Sequence, residues 1–103
     1  MTKYHLKKRI DIVVEARLIR TLTNTLDQAG TRLFGAAHPR RPGMLNARSL
    51  EAEISDAANM VALLCIVDAA HADEVVDAVF AAIRDRIGFV AMSDVFVLRP
   101  ERF

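Results

Sequence analysis

The chain has 103 residues, enough for one domain but not for two independent cores. Hydrophobic residues make up 52% and charged residues 26%, a balance that suits a packed core and excludes intrinsic disorder. A net charge of +1 argues against a globally basic nucleic-acid binder, and an aromatic content of 6% with no Trp leaves an aliphatic core.

Residues 7–16 alternate Ile10, Ile12 and Val14 with Asp11, Val13 and Glu15, which predicts a strand. Residues 17–29 repeat Leu18, Leu22 and Leu26 every fourth position, with Ile19 beside them. That is a helix, and Gly30 stops it. Residues 31–36 predict a short, weakly patterned strand. Pro39, Pro42 and Gly43 make 37–50 a loop, long for so small a domain and therefore a candidate for function. Residues 60–68 are apolar on both faces: Val61, Leu63, Cys65 and Val67 on one, Ala62, Leu64 and Ile66 on the other. A helix is predicted over about 72–87, with Val76, Val79, Phe80, Ile83 and Ile87 at helical spacing, Asp68 to Asp73 as its cap region and Gly88 as its end. Residues 94–98 are the last strand, closed by Pro100.

The order strand, helix, strand, strand, helix, strand is the split βαβ, or ferredoxin-like, α+β arrangement in a single domain over 1–103. Right-handed crossovers lay both helices on one face of a four-stranded antiparallel sheet. Strands apolar on both sides usually have both sides buried. The second face is therefore expected to pack on another subunit.

Charge is distributed unevenly. Residues 1–50 carry 10 basic and 3 acidic side chains, and residues 51–103 carry 4 and 10. One region can thus attract an anion while the whole stays near neutral. Arg32, Arg40, Arg41 and Arg48 fall within 31–50, where no acid occurs.

Catalytic and metal motifs are absent. The chain has no nucleophile elbow, Walker loop or Gly-x-Gly-x-x-Gly. His5, His38 and His71 share no ligand spacing, and the lone Cys65 excludes a cysteine zinc cluster and an intrachain disulfide. Cys65 lies in an apolar run and is expected to be a buried, inert thiol. The central strands lack the exposed aromatics that RNA-binding domains of this fold use. No apolar stretch reaches the length of a membrane span, and no hydrophobic signal region follows the first charges. The expectation is a soluble cytoplasmic binding protein, not an enzyme, that neither binds nucleic acid nor inserts into membranes.

Two segments carry the binding reading. Ser93 and Asp94 are expected at the mouth of the last strand, after a short loop from Gly88, with Arg99 and Arg102 just past its far end. Within one chain these ends lie about a strand length apart. In a symmetric oligomer, one subunit's loop can meet another's arginines, which suit bidentate phosphate contact. The competing reading makes the arginines tail residues paired with acids such as Glu101. The second segment is the arginine loop, a partner or ligand contact through Arg40, Arg41 and Arg48, or else merely a solvated loop.

Four stretches resemble PII-like signalling proteins. They are Lys-Arg-Ile-Asp-Ile-Val-Val-Glu-Ala at 8–16, Leu-Asp-Gln-Ala-Gly at 26–30, Ile-Ser-Asp-Ala-Ala-Asn-Met-Val at 54–61, and Ile-Gly at 87–88 with Ser-Asp-Val-Phe-Val-Leu-Arg-Pro-Glu-Arg-Phe at 93–103. The resemblance is closest to the branch associated with carboxysomes and bicarbonate transport. It implies a ferredoxin-like homotrimer that binds ADP or AMP, with ATP as a further candidate, in intersubunit clefts, bicarbonate as a co-ligand and no required cofactor. It also implies a long T-loop, here about 37–55, that contacts a bicarbonate transporter or carboxysome-related partner. Ser93, Asp94, Arg99 and Arg102 are the matched nucleotide positions, and Gly88, from the reading of the residues themselves, joins them as the glycine after which backbone donors can reach a phosphate. The family's glycine-lysine phosphate loop is replaced by Met92-Ser93-Asp94, and its T-loop tyrosine is missing, so uridylylation is not expected. The alternative on the same architecture is a metal-binding trimer like the divalent-cation-tolerance proteins. An acylphosphatase-like enzyme is disfavoured because the Gly-Arg loop after the first strand is missing.

Overall fold

Alternation along the first strand decides which of its sides meets the helices. In a computed structural model, which describes residues 3–31, 33, 35–37 and 60–102, β1 runs over His5–Glu15. Its Ile10, Ile12 and Val14 are fully buried on one face. A 3-10 turn, Ala16–Leu18, leads into α1, Ile19–Gln28. Leu18, Leu22 and Leu26 form the buried stripe that their spacing predicts. Thr23 and Thr25 return their hydroxyls to the carbonyls of Ile19 and Thr21, at 2.8 and 2.9 Å, so their polar groups are satisfied inside the helix.

Gly30 ends α1 as expected. Its φ is 84°, a left-handed conformation. Thr31 N–H donates to Leu26 O at 2.9 Å and Gly30 N–H to Asp27 O at 3.1 Å, the paired bonds of a Schellman turn.

The remaining elements are β2, Gly35–Ala37; β3, Met60–Val67; α2, Ala69–Ile83; β4, Gly88–Val97; and a closing 3-10 turn, Pro100–Arg102. The sheet order is β2-β3-β1-β4 and every pairing is antiparallel. With two helices on one side, this is the α+β ferredoxin-like fold expected from the element order.

The main core lies between that face and the helices. Ile10, Ile12 and Val14 pair with Cys65, Leu63 and Val61 across β1 and β3. All six pack with Leu22 and Leu26 of α1 and Val75 and Val79 of α2. A smaller cluster, Val13 and Met60 with Ala62 and Phe89, lies on the opposite face. That face changes character along its length. Apolar near Val13, it becomes charged at Asp11, Arg9 and Lys7, where Arg9 and Asp11 form an ion pair at 3.0 Å.

Several boundaries differ from the sequence expectation. α2 starts three residues before 72 and ends at Ile83, so Gly88 opens β4 and does not close the helix. The buried stripe of α2 is Ala72, Val75, Val79 and Ile83, while Phe80 is 59% and Ile87 52% exposed. Apolar pairs at 75–76 and 79–80 offer two stripes one residue apart, and packing against α1 and the sheet selects the first. β4 has ten residues and not five, because it pairs with β1 from Val14 back to His5. β2 is reduced to three residues. The predicted loop 37–50 lies outside the described residues apart from Ala37, as does the T-loop-like stretch that extends it to 55.

Candidate functional site

Antiparallel pairing sorts the candidate residues to two ends of the sheet. At one end stand Gly88, the last residue of β2 and the first of β3, so the long segment 38–59 joins the sheet at this same end, on the far side of β1 from Gly88. At the other end lie the end of α1, the end of β3, the start of β1 and Arg99. The eight residues of β3 separate the ends by roughly 25 Å at ~3.3 Å per residue.

Gly88 is needed where it stands. A Cβ there would lie 2.4 Å from the Val13 carbonyl oxygen and 2.9 Å from Val14 Cγ1. Only a hydrogen side chain lets β4 start this close to β1. Ser93 and Asp94 are the sixth and seventh residues of β4, not residues at its mouth, because the strand begins earlier than its alternation suggests. Ser93 is opposite Arg9, and Asp94 is opposite Lys8. The Lys8 ammonium donates to the Asp94 carboxylate on the helix side of the sheet. Asp94 is therefore engaged within its own protomer. Arg99 is exposed beyond β4, and Arg102 closes the final 3-10 turn. Arg40, Arg41 and Arg48 lie outside the described residues.

The second end holds a concavity that the sequence reading missed. It has a volume of about 80 Å³ and is lined by Gly30, Thr31, Ile66, Val67, Asp68 and His71. The Schellman turn supplies one wall, and the passage from β3 into α2 supplies the other. Asp68 occupies the N-cap position of α2 without a side-chain cap bond. Its carbonyl accepts from His71 N–H at 2.9 Å, and its carboxylate accepts from the largely buried Lys7. His71 Nε2 meets the Ala29 carbonyl, and Nδ1 lies 3.2 Å from Glu74 Oε2. Gly30 and the turn residues of 68–73 were visible as helix punctuation, but only the fold reveals that they face each other.

Clefts that take a drug-sized ligand measure some 300–1,000 Å³, so this concavity is one wall of a larger site at most. At the same end of the sheet, Tyr4 and Phe96 meet edge to face, with ring centroids 6.4 Å apart. Tyr4, Leu6, Phe96 and Leu98 are all more than half exposed.

Among the described residues no group of three His, Cys, Asp or Glu side chains could hold a metal ion. His5 and His71 stand on different elements, and His38 lies outside the described residues. Cys65 is buried as expected, and burial, aided by the Asp11 carboxylate, pushes its thiol up to about 11. No helix among the described residues is long and apolar enough to cross a membrane.

Comparison with solved structures places this geometry among known folds. CPII from Thiomonas intermedia K12, bound to ADP and bicarbonate, superposes with a TM-score of 0.76 at 20% identity, covering 100% of this chain and 99% of that one. A PII-like signalling protein from Thermus thermophilus gives 0.74 at 19% identity, covering 98% of both chains. The apo form of CPII gives 0.70 at 14% identity, covering 94% of this chain and 97% of that one. At such identities the likeness is one of fold. No curated protein matches the sequence. The family model for nitrogen regulatory protein P-II matches residues 7–102, so the chain belongs to the P-II family.

Proposed function

We propose that the protein is a cytoplasmic, PII-like regulatory protein, not an enzyme, that binds ADP or AMP in clefts between the subunits of a homotrimer. ATP is a further candidate ligand and bicarbonate a co-ligand. The observation that carries this reading is the separation of the site into two halves. Gly88 and the base of the long segment stand at one end of the sheet, and Arg99 and the small concavity at the other. One protomer cannot close such a site around a ligand. A neighbour packed on the half-bare sheet can bring its Arg99 and Arg102 to the first protomer's Gly88 end. Support also comes from CPII, whose structures hold ADP, AMP and bicarbonate.

In this reading Ser93 and the backbone from Gly88 onward approach the phosphates, and Arg99 and Arg102 neutralise them. Asp94 acts through Lys8, keeping that cation on β1. Ligand occupancy biases the ordering of 37–55, which contacts a bicarbonate transporter or carboxysome-related partner through Arg40, Arg41 and Arg48. Only different affinities for two loop states can transmit such a signal. No observation among the described residues favours the metal-handling alternative.

Calorimetry with AMP, ADP, ATP and cyclic AMP, each with and without bicarbonate, tests the reading, with sedimentation to fix the subunit number. Saturable binding by a trimer is expected. Silence at millimolar nucleotide, or a stable monomer at micromolar protein, refutes it. Arg102→Ala is expected to weaken the nucleotide by about 1–3 kcal/mol as a lost charge-assisted contact. An unchanged affinity removes Arg102 from the site.

A further inference from the structure

An aromatic corner stands at the same end of the sheet as Arg99. Leu6 and Phe96 face each other across β1 and β4. By alternation from Ile10 they lie on the side that carries the helices, yet both are more than half exposed. Tyr4, just before β1, meets Phe96 with ring planes inclined at 77°. Among the described residues these two rings alone line an open cleft of about 320 Å³.

Rings inclined so steeply form a corner, in which a planar group can stack on one ring and present its edge to the other. The cleft is at the low end of the roughly 300–1,000 Å³ that ligand sites span, room for a ring system and not for a whole nucleotide. Exposed aromatic side chains stack nucleobases readily, because every base has a π-face. Charge selects what the ring system carries. Arg99 is exposed and lies three residues beyond Phe96, at most about 10 Å along the chain. The one carboxylate of β4, Asp94, is already paired with Lys8. An aromatic cleft with a cation this close suits a planar base that bears an anionic group.

We propose that Tyr4 and Phe96 take the purine base of a nucleotide whose phosphate meets Arg99. The assignment rests on the function proposed above and adds to it. The subunit that lends Arg99 to a neighbour's Gly88 end lends the stacking surface as well.

Tyr4 is the chain's one tyrosine and Trp is absent, so intrinsic emission reports on the cleft. Added AMP, with its own absorbance corrected for, is expected to quench that emission in step with the heat of binding. Tyr4→Ser and Phe96→Ser, both at exposed positions, are expected to weaken AMP about tenfold, while Tyr4→Phe keeps wild-type affinity. Ribose 5-phosphate, which lacks the base, is expected to bind wild type and both serine variants alike. AMP that binds without changing the tyrosine emission, and equally well in the serine variants, overturns the assignment and leaves the nucleotide function standing. Equal weakening of AMP and ribose 5-phosphate, or altered sedimentation of Phe96→Ser without nucleotide, also overturns it, by making the rings a contact between chains. No heat from AMP with wild type removes the function and the assignment together.

Discussion

Replacing Gly88 with Ala tests the close approach of β4 to β1. The new Cβ would sit 2.4 Å from Val13 O and 3.3 Å from Val14 Cα, both backbone atoms that cannot rotate away. Ordinary contact requires a retreat of about 1 Å. β4 can yield by peeling its first residues from β1, which sacrifices pairing at Val14 and loosens Phe89 from Val13 and Met60. A lost hydrogen bond is worth about 0.5–1.5 kcal/mol and overpacking about 1–3, so we expect a loss of about 2 kcal/mol. With a urea slope of about 2 kcal/mol/M, the unfolding midpoint should fall by roughly 1 M. Gly35→Ala is the control. Among the described residues nothing lies within 4 Å of its Cβ position, and the midpoint should hold or rise slightly. The reasoning fails if Gly88→Ala unfolds with the wild type or if Gly35→Ala falls equally far. Both measurements belong at one protein concentration without nucleotide, since ligand and subunit contacts shift apparent stability.

The other predictions concern the core. Leu22→Ala removes a fully buried side chain between α1, α2 and the sheet and should cost about 2–5 kcal/mol by equilibrium denaturation, whereas Phe80→Ser on the open face of α2 should change stability by about 0.5 kcal/mol or less. Fast labelling of native Cys65 by a small alkylating reagent at neutral pH would contradict its burial. Its folded value is raised from 9.0 to about 11, so the neutral thiol favours the folded state. That contribution is complete below about 9 and is lost as pH rises towards about 11, so Cys65→Ala should remove part of any alkaline destabilisation in that window.

Much of this fold can be read from local pattern. Leu18, Leu22 and Leu26 announce α1, Gly30 its end, and the two-sided apolar run at 60–67 a central position for β3. The stripe of α2 could not be read, because Val75, Val76, Val79 and Phe80 satisfy two helical faces equally and only the neighbouring sheet chooses between them. The start of β4 was hidden for a related reason. Phe89, Val90, Ala91 and Met92 are apolar without alternation, and the strand's length is set by its long partner β1. At the candidate site, Gly88 and the arginines could be singled out by residue type. The wall formed by Gly30, Thr31, Asp68 and His71 could not, since its members come from segments some forty residues apart that meet only when both helices pack on the same sheet.

The rims of the sheet are unequal. β2 closes one side with three residues, while β4 runs ten residues along the other with Asp94 as its single charge. Long flat borders of this kind usually carry lysines, prolines or bulges that discourage templating by stray strands. β4 has almost no such protection in its own sequence, so under the homotrimer proposed above newly made chains depend on subunit packing to hide that border. Slow assembly, dilution or overexpression would leave it open to runaway strand-on-strand growth.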